Sequence, residues 1–185
     1  MWLTDEELRV LTAACERVVP AGDAGPGAVG AGVPAYIDTL LGAFTFDPPR
    51  IWAGGPTSGR MGGDPAFATF HRLGPLDELA WRMRIEGSRG LPEREFNGPV
   101  RGLQEQYRDG LAALGEGFCD LDPDAQDAAL RALPAFTALL YGHACEGLYG
   151  APEYGGNRDG SGWAAIGFAG DVQPRGWTDA EVSTP

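Results

Sequence analysis

PAFTALLYGHACEGLYG, residues 134–150, opens with a proline where a helix tolerates it best and then runs apolar on nearly every side. A helix that is hydrophobic all round belongs inside a protein, so the stretch predicts a central buried helix. No segment elsewhere alternates apolar and polar residues over a useful length, which leaves no sheet for it to pack on. The expectation is an all-α fold of five to six helices.

The other helices carry their own start and stop signals. In LTDEELRVLTAACERVVP, residues 3–20, Thr4 and Glu7 have the spacing of a capping box and Leu3 can staple onto Leu8. Leu8, Leu11, Cys15 and Val18 fall on one face, and Pro20 stops the helix. Residues 21–32, AGDAGPGAVGAG, read as a glycine-rich loop, after which Pro34 starts a second helix. A long Pro/Gly-punctuated connection, residues 45–65, follows; a loop of that length usually has work to do. Pro75 opens a third helix with an expected apolar stripe of Leu76, Leu79, Ala80 and Met83. A fourth places Val100, Leu103, Tyr107, Leu111 and Leu114 on one side, and Asp122 caps a fifth whose first residue is Pro123.

At 185 residues the chain reads as one domain, 1–185. Its 29 glycines and 15 prolines predict long Gly/Pro-rich loops and an extended C-terminal tail. A net charge of -12 argues against nucleic acid and anionic membrane surfaces as partners. No lysine occurs, which excludes Schiff-base chemistry and a phosphate-loop lysine. Cys15, Cys119 and Cys145 form no metal or disulfide pattern, and Cys15 and Cys145 read as core. No stretch is apolar enough to cross a membrane and the N-terminus shows no export signal, so direct membrane insertion is not expected and a cytoplasmic location is. Removal of a leader would make it periplasmic or secreted.

Several chemical constellations can be weighed. Gly160–Ala165 has the dinucleotide spacing but lacks the preceding strand and following helix of the βαβ unit that the mechanism needs. Asn157, Asp159 and Ser161 match the first half of a calcium loop, yet Phe168 stands where a bidentate glutamate is required. A calcium-binding module on Asn157–Ser161 is therefore one alternative. A stand-alone enzyme with a pocket near His143 and Glu146 is another, although His143 and Cys145 point to different helix faces. None of the four serines sits in a nucleophile elbow. What remains is the aromatic content: Phe44, Phe46 and Trp52, then Tyr149, Tyr154, Trp163, Phe168 and Trp177. Rings on glycine-hinged backbone serve as interface anchors, or they fold back over the domain's own core; composition leaves both open.

Residues 146–182, EGLYGAPEYGGNRDGSGWAAIGFAGDVQPRGWTDAEV, are similar to the C-terminal signature of the gluconate 2-dehydrogenase subunit 3 family. Tyr154-Gly-Gly-Asn157, Gly162-Trp163 and Ile166-Gly-Phe168 occur in order. ERVVP and AGVPAYID near the N-terminus and FCDLDPDAQDAALRAL in the middle resemble the family too. The resemblance implies a non-catalytic small subunit that binds and stabilises the FAD-containing catalytic subunit, of glucose-methanol-choline type, of a sugar or polyol dehydrogenase. A cytochrome c subunit is a further partner of such complexes. It also implies no cofactor in this chain and no catalytic or metal residues, FAD being held by the partner. The absence of a twin-arginine leader in the chain departs from exported members. Tyr154, Asn157, Trp163 and Phe168 are the expected partner contacts, with Trp52 as a fifth.

Overall fold

A computed structural model describes residues 1–53 and 70–168. The expected C-terminal tail with Trp177, and most of the connection after Trp52, lie outside these residues. The described residues contain no strand, only two isolated β-bridges, Gly22 with Gly25 and Ala53 with Phe70. The helices are α1 (Asp5–Val18), α2 (Gly27–Gly30), α3 (Val33–Leu41), α4 (Pro75–Glu86), α5 (Leu103–Leu114), α6 (Pro123–Ala132), α7 (Pro134–Tyr149) and α8 (Ser161–Ala165). The all-α expectation holds, but the count is eight helices among the described residues rather than five to six. The added ones, α2 and α8, are single turns inside glycine-rich runs. Glycine disfavours helix by about 1 kcal/mol per residue, so such turns are invisible to propensity. Tertiary hydrogen bonds hold the α2 turn instead: Ala28 N–H donates to Val19 O at 2.8 Å, and Arg158 N–H to Ala31 O at 2.9 Å.

The capping box forms as its spacing requires. Glu7 N–H donates to the Thr4 hydroxyl at 3.2 Å and Thr4 N–H to the Glu7 carboxylate at 2.8 Å. Val10, Leu11, Ala14 and Cys15 of α1 are buried, and burial pushes the Cys15 thiol up to about 12, so it packs rather than reacts. A second anchor for this end has no local sequence signal. The buried Asp38 of α3 accepts from the backbone N–H groups of Trp2 (2.9 Å) and Leu3 (2.8 Å). Asp38→Ala orphans both donors and should lower unfolding free energy by about 2–3 kcal/mol in urea titration. Asp38→Asn keeps an acceptor oxygen and should cost less than half of that; equal losses would refute this account of the site.

Two helices differ from their expected faces. In α4, Leu76 is 82% exposed, Leu79 and Met83 are half-buried, and Ile85 is the fully covered residue. The helix is held from its polar side as well: the Arg82 guanidinium lies 4.1 Å over the Phe44 ring and bonds Glu78 and Glu86. In α5 the helix begins at Leu103 after Gly102, leaving Val100 outside; Leu103, Tyr107 and Leu111 are buried.

The decisive helix, α7, touches α1, α2, α3, α5, α6 and α8 and is central as expected. It is not buried all round. Phe136, Leu140, His143, Ala144, Gly147 and Leu148 face the core, whereas Ala135, Ala138, Tyr141, Gly142 and Tyr149 are exposed. Apolar composition alone cannot say which face neighbours cover, and here they cover one.

Candidate docking surface

An α-helix leaves its last four carbonyls without partners, and at the end of α7 the segment that follows meets the carbonyls of Gly147, Tyr149 and Gly150. After Tyr149 the chain runs through a tight turn at Pro152–Tyr154, then doubles back along the helix end. Asn157 is the organiser. It is 0% exposed and sits in the left-handed region (φ 43°, ψ 46°), where asparagine is tolerated better than most residues. Its backbone N–H donates to Gly147 O at 2.6 Å and its amide Nδ2 to Gly150 O at 2.8 Å. Its Oδ1 accepts from Gly162 N–H at 2.9 Å and, more weakly, from Trp163 N–H at 3.4 Å. One side chain thereby ties the α7 terminus to the first turn of α8.

Two glycines of this run, Gly156 and Gly162, are close-approach positions rather than hinges. A Cβ at Gly156 would stand 2.1 Å from Gly147 O, and one at Gly162 would stand 1.9 Å from Leu148 O. Only hydrogen at those two Cα positions lets the segment lie against the helix.

Trp163 completes the cap and begins the surface. Its indole N–H donates to Tyr149 O at 2.7 Å, and its half-buried ring packs edge-to-face with Phe168, centroids 5.3 Å apart. Around it Tyr149 (43%), Ile166 (59%) and Phe168 (48%) are exposed, forming an apolar patch on backbone fixed by the α7 cap. Rigid aromatic area open to water is what docking surfaces offer.

The five expected contact residues thus fall into different places. Trp163 and Phe168 form one pair on the surface. Asn157 is buried with its side-chain amide spent on this chain's own backbone, so it positions the patch and does not itself face a partner. Tyr154 is half-buried: its hydroxyl accepts from Ala53 N–H at 3.0 Å and its ring meets Phe70 edge-on at 5.7 Å, clamping the two ends of the connection. Trp52 is exposed in the turn before Ala53 and is paired with neither group. Sequence reasoning passed over the capping role of Asn157, which lies eight residues beyond the last residue of α7, too far for a local capping signal.

Among the described residues the alternative constellations do not come together. His143 is buried with Nδ1 2.8 Å from the Tyr107 hydroxyl and its ring stacked on Tyr107, while Glu146 faces a groove and accepts from the Tyr36 hydroxyl at 2.9 Å. The two do not share a pocket. With the Asn157 side chain committed to α7 and α8, the calcium half-loop cannot converge, and no group of three or more His, Cys, Asp or Glu that could hold a metal occurs among the described residues. Gly160–Ala165 forms one helical turn with no strand before it, which does not fit the dinucleotide half of a flavin. Among the described residues no helix is long and apolar enough to cross a membrane.

Burial lowers the His143 pKa, outweighing the attraction of nearby Glu146. The unfolded chain, with histidine near 6.5, then binds more protons than the native one as pH falls. The neutral imidazole's contribution is complete above about pH 6.5 and is lost as pH drops toward the lower native value. The melting temperature should fall between about pH 7 and 5, with a shallower fall in His143→Gln; equal slopes would show that other groups govern it.

Fold and surface together define an all-helical chain whose distinctive feature is an aromatic patch braced by a helix cap. The family profile described as Gluconate 2-dehydrogenase subunit 3 matches residues 5–170. The chain belongs to that family, whose description is of one subunit of a dehydrogenase complex. No significant similarity to a curated protein or to a solved structure was found.

Proposed function

We propose that this chain is a non-catalytic small subunit that binds and stabilises the FAD-containing catalytic chain, of glucose-methanol-choline type, of a sugar or polyol dehydrogenase. The observation that carries the reading is the exposed Tyr149, Ile166 and Phe168 around a hydrogen-bonded Trp163, in a chain of a dehydrogenase-subunit family. Large apolar side chains held rigidly in water lose little conformational freedom when a partner covers them. In this reading FAD stays on the partner, and a cytochrome c subunit is the further component to look for in the purified complex. A cytoplasmic site of action belongs to the same proposal.

Co-expression with a glucose-methanol-choline type flavoprotein dehydrogenase of the same organism, followed by size-exclusion chromatography, tests the reading. The two chains should co-elute with a flavin spectrum. Separate elution, with a catalytic chain that is soluble and active alone, would overturn it. So would oxidation of a sugar by this chain with no flavoprotein added.

A further inference from the structure

Beside the aromatic patch, between α3, the last turn of α7 and the Pro152–Tyr154 turn, runs a groove of about 460 Å³. Tyr36, Leu40, Ile51, Trp81, Tyr149 and Tyr154 supply most of its apolar wall, and Tyr149 belongs to the patch as well. Two charged side chains reach it. Glu146 is already served, by the Tyr36 hydroxyl at 2.9 Å and by Arg84 at 3.9 Å. Arg50 is not: its guanidinium lies 4.8 Å from the Phe46 ring centre and 5.0 Å from that of Phe70, and among the described residues no carboxylate is within ion-pair distance.

Of the twelve described arginines, four, Arg50, Arg108, Arg131 and Arg158, have no ion pair among the described residues, and of these Arg50 is the one that reaches the groove. Acidic residues outnumber basic ones 26 to 14, and most described arginines, including Arg9, Arg17, Arg82 and Arg94, hold a carboxylate. Two aromatic rings flank the Arg50 guanidinium, and among the described residues no carboxylate holds its N–H fork, whose geometry matches a planar carboxylate. An apolar groove with an open guanidinium on its wall is complementary to an apolar group next to a negative one.

We propose that this groove seats a segment of the dehydrogenase partner in which a large apolar side chain is flanked by an aspartate or glutamate. The apolar side chain fills the groove and the carboxylate pairs with Arg50. This assignment rests on the subunit reading above and names where and how the partner is held. Because Tyr149 is shared, one partner surface covers the patch and the groove together.

The test measures dissociation constants of the co-expressed flavoprotein for the wild type, Arg50→Lys, Arg50→Glu and Thr39→Trp, which fills the groove from α3. Arg50→Lys should weaken binding about tenfold through loss of the bidentate fork, and Arg50→Glu about a hundredfold through reversal of charge. The Arg50→Glu deficit should shrink at about 0.5 M salt, and Thr39→Trp should lose binding at either salt. Binding by Arg50→Glu and Thr39→Trp within about twofold of the wild type would overturn the groove assignment and leave the subunit reading standing. Failure of the wild type to bind at all would overturn both. Should a variant not fold, hydrogen exchange on the wild-type complex decides: new protection in residues 36–51 and 145–154 supports the assignment, and unchanged exchange refutes it. Protection of those peptides in the concentrated free chain would assign the groove to a second copy of this chain instead.

Discussion

Asn157→Ala is expected to lower the unfolding free energy by about 3 kcal/mol or more. It removes the donor to Gly150 O and the acceptor for Gly162 N–H at a site with no exposure to water, and it puts a Cβ-bearing residue without local polar compensation at φ 43°. Asn157→Gly loses the same hydrogen bonds but relieves the backbone, and should be less damaging by about 1 kcal/mol. Asn157→Asp keeps Oδ1 and turns the other oxygen against the Gly150 carbonyl, so it should fall between wild type and alanine at neutral pH. Thermal and urea denaturation of the free chain measure all three. If alanine and wild type melt together, the cap does not hold the segment and the surface built on it is not rigid.

The double substitution Ile166→Asp/Phe168→Asp is expected to reduce affinity for the catalytic chain by a hundredfold or more, since placing two charges in the centre of an apolar contact costs about 3 kcal/mol or more. Ile166 is 59% and Phe168 48% exposed in the free chain, so the loss of stability there should be confined to the Phe168 ring pairing with Trp163, about 1 kcal/mol, well below the loss in binding. Trp163→Ala is the less discriminating change. It breaks the bond to Tyr149 O as well as the pairing with Phe168, and lowers stability and binding together. Undiminished binding by the double variant would place the docking surface elsewhere, with the exposed side of α7 around Tyr141 as the next face to change.

Residues whose partners lie within one helical turn were legible in the sequence. Thr4 and Glu7 cap α1, Asp122 caps α6 by accepting from Ala125 N–H at 2.9 Å, and proline opens α4, α6 and α7 where each was read. The ordered aromatics and glycines from Tyr154 to Phe168 were legible as a family signature. What the individual letters do was not. Asn157 read as a contact residue because its four partners, from Gly147 to Trp163, depend on the chain returning onto α7, and nothing local announces that return. Glycines 156 and 162 read as hinges because free backbone and close backbone approach call for the same residue.

The amino-acid sequence alone was enough to determine the helical class, the six long helices, the poverty of cationic chemistry and the family. Those properties follow from short-range periodicity, capping and composition, which need no knowledge of distant neighbours. Tertiary structure alone decided which half of apolar α7 is covered, that Asp38 grips Trp2 and Leu3, and that Arg50 stands over Phe46 and Phe70 with no carboxylate from the described residues. Each of these depends on groups far apart in the chain meeting within a few ångströms. Burial and hydrogen-bond satisfaction are properties of that meeting, and no window of sequence contains it.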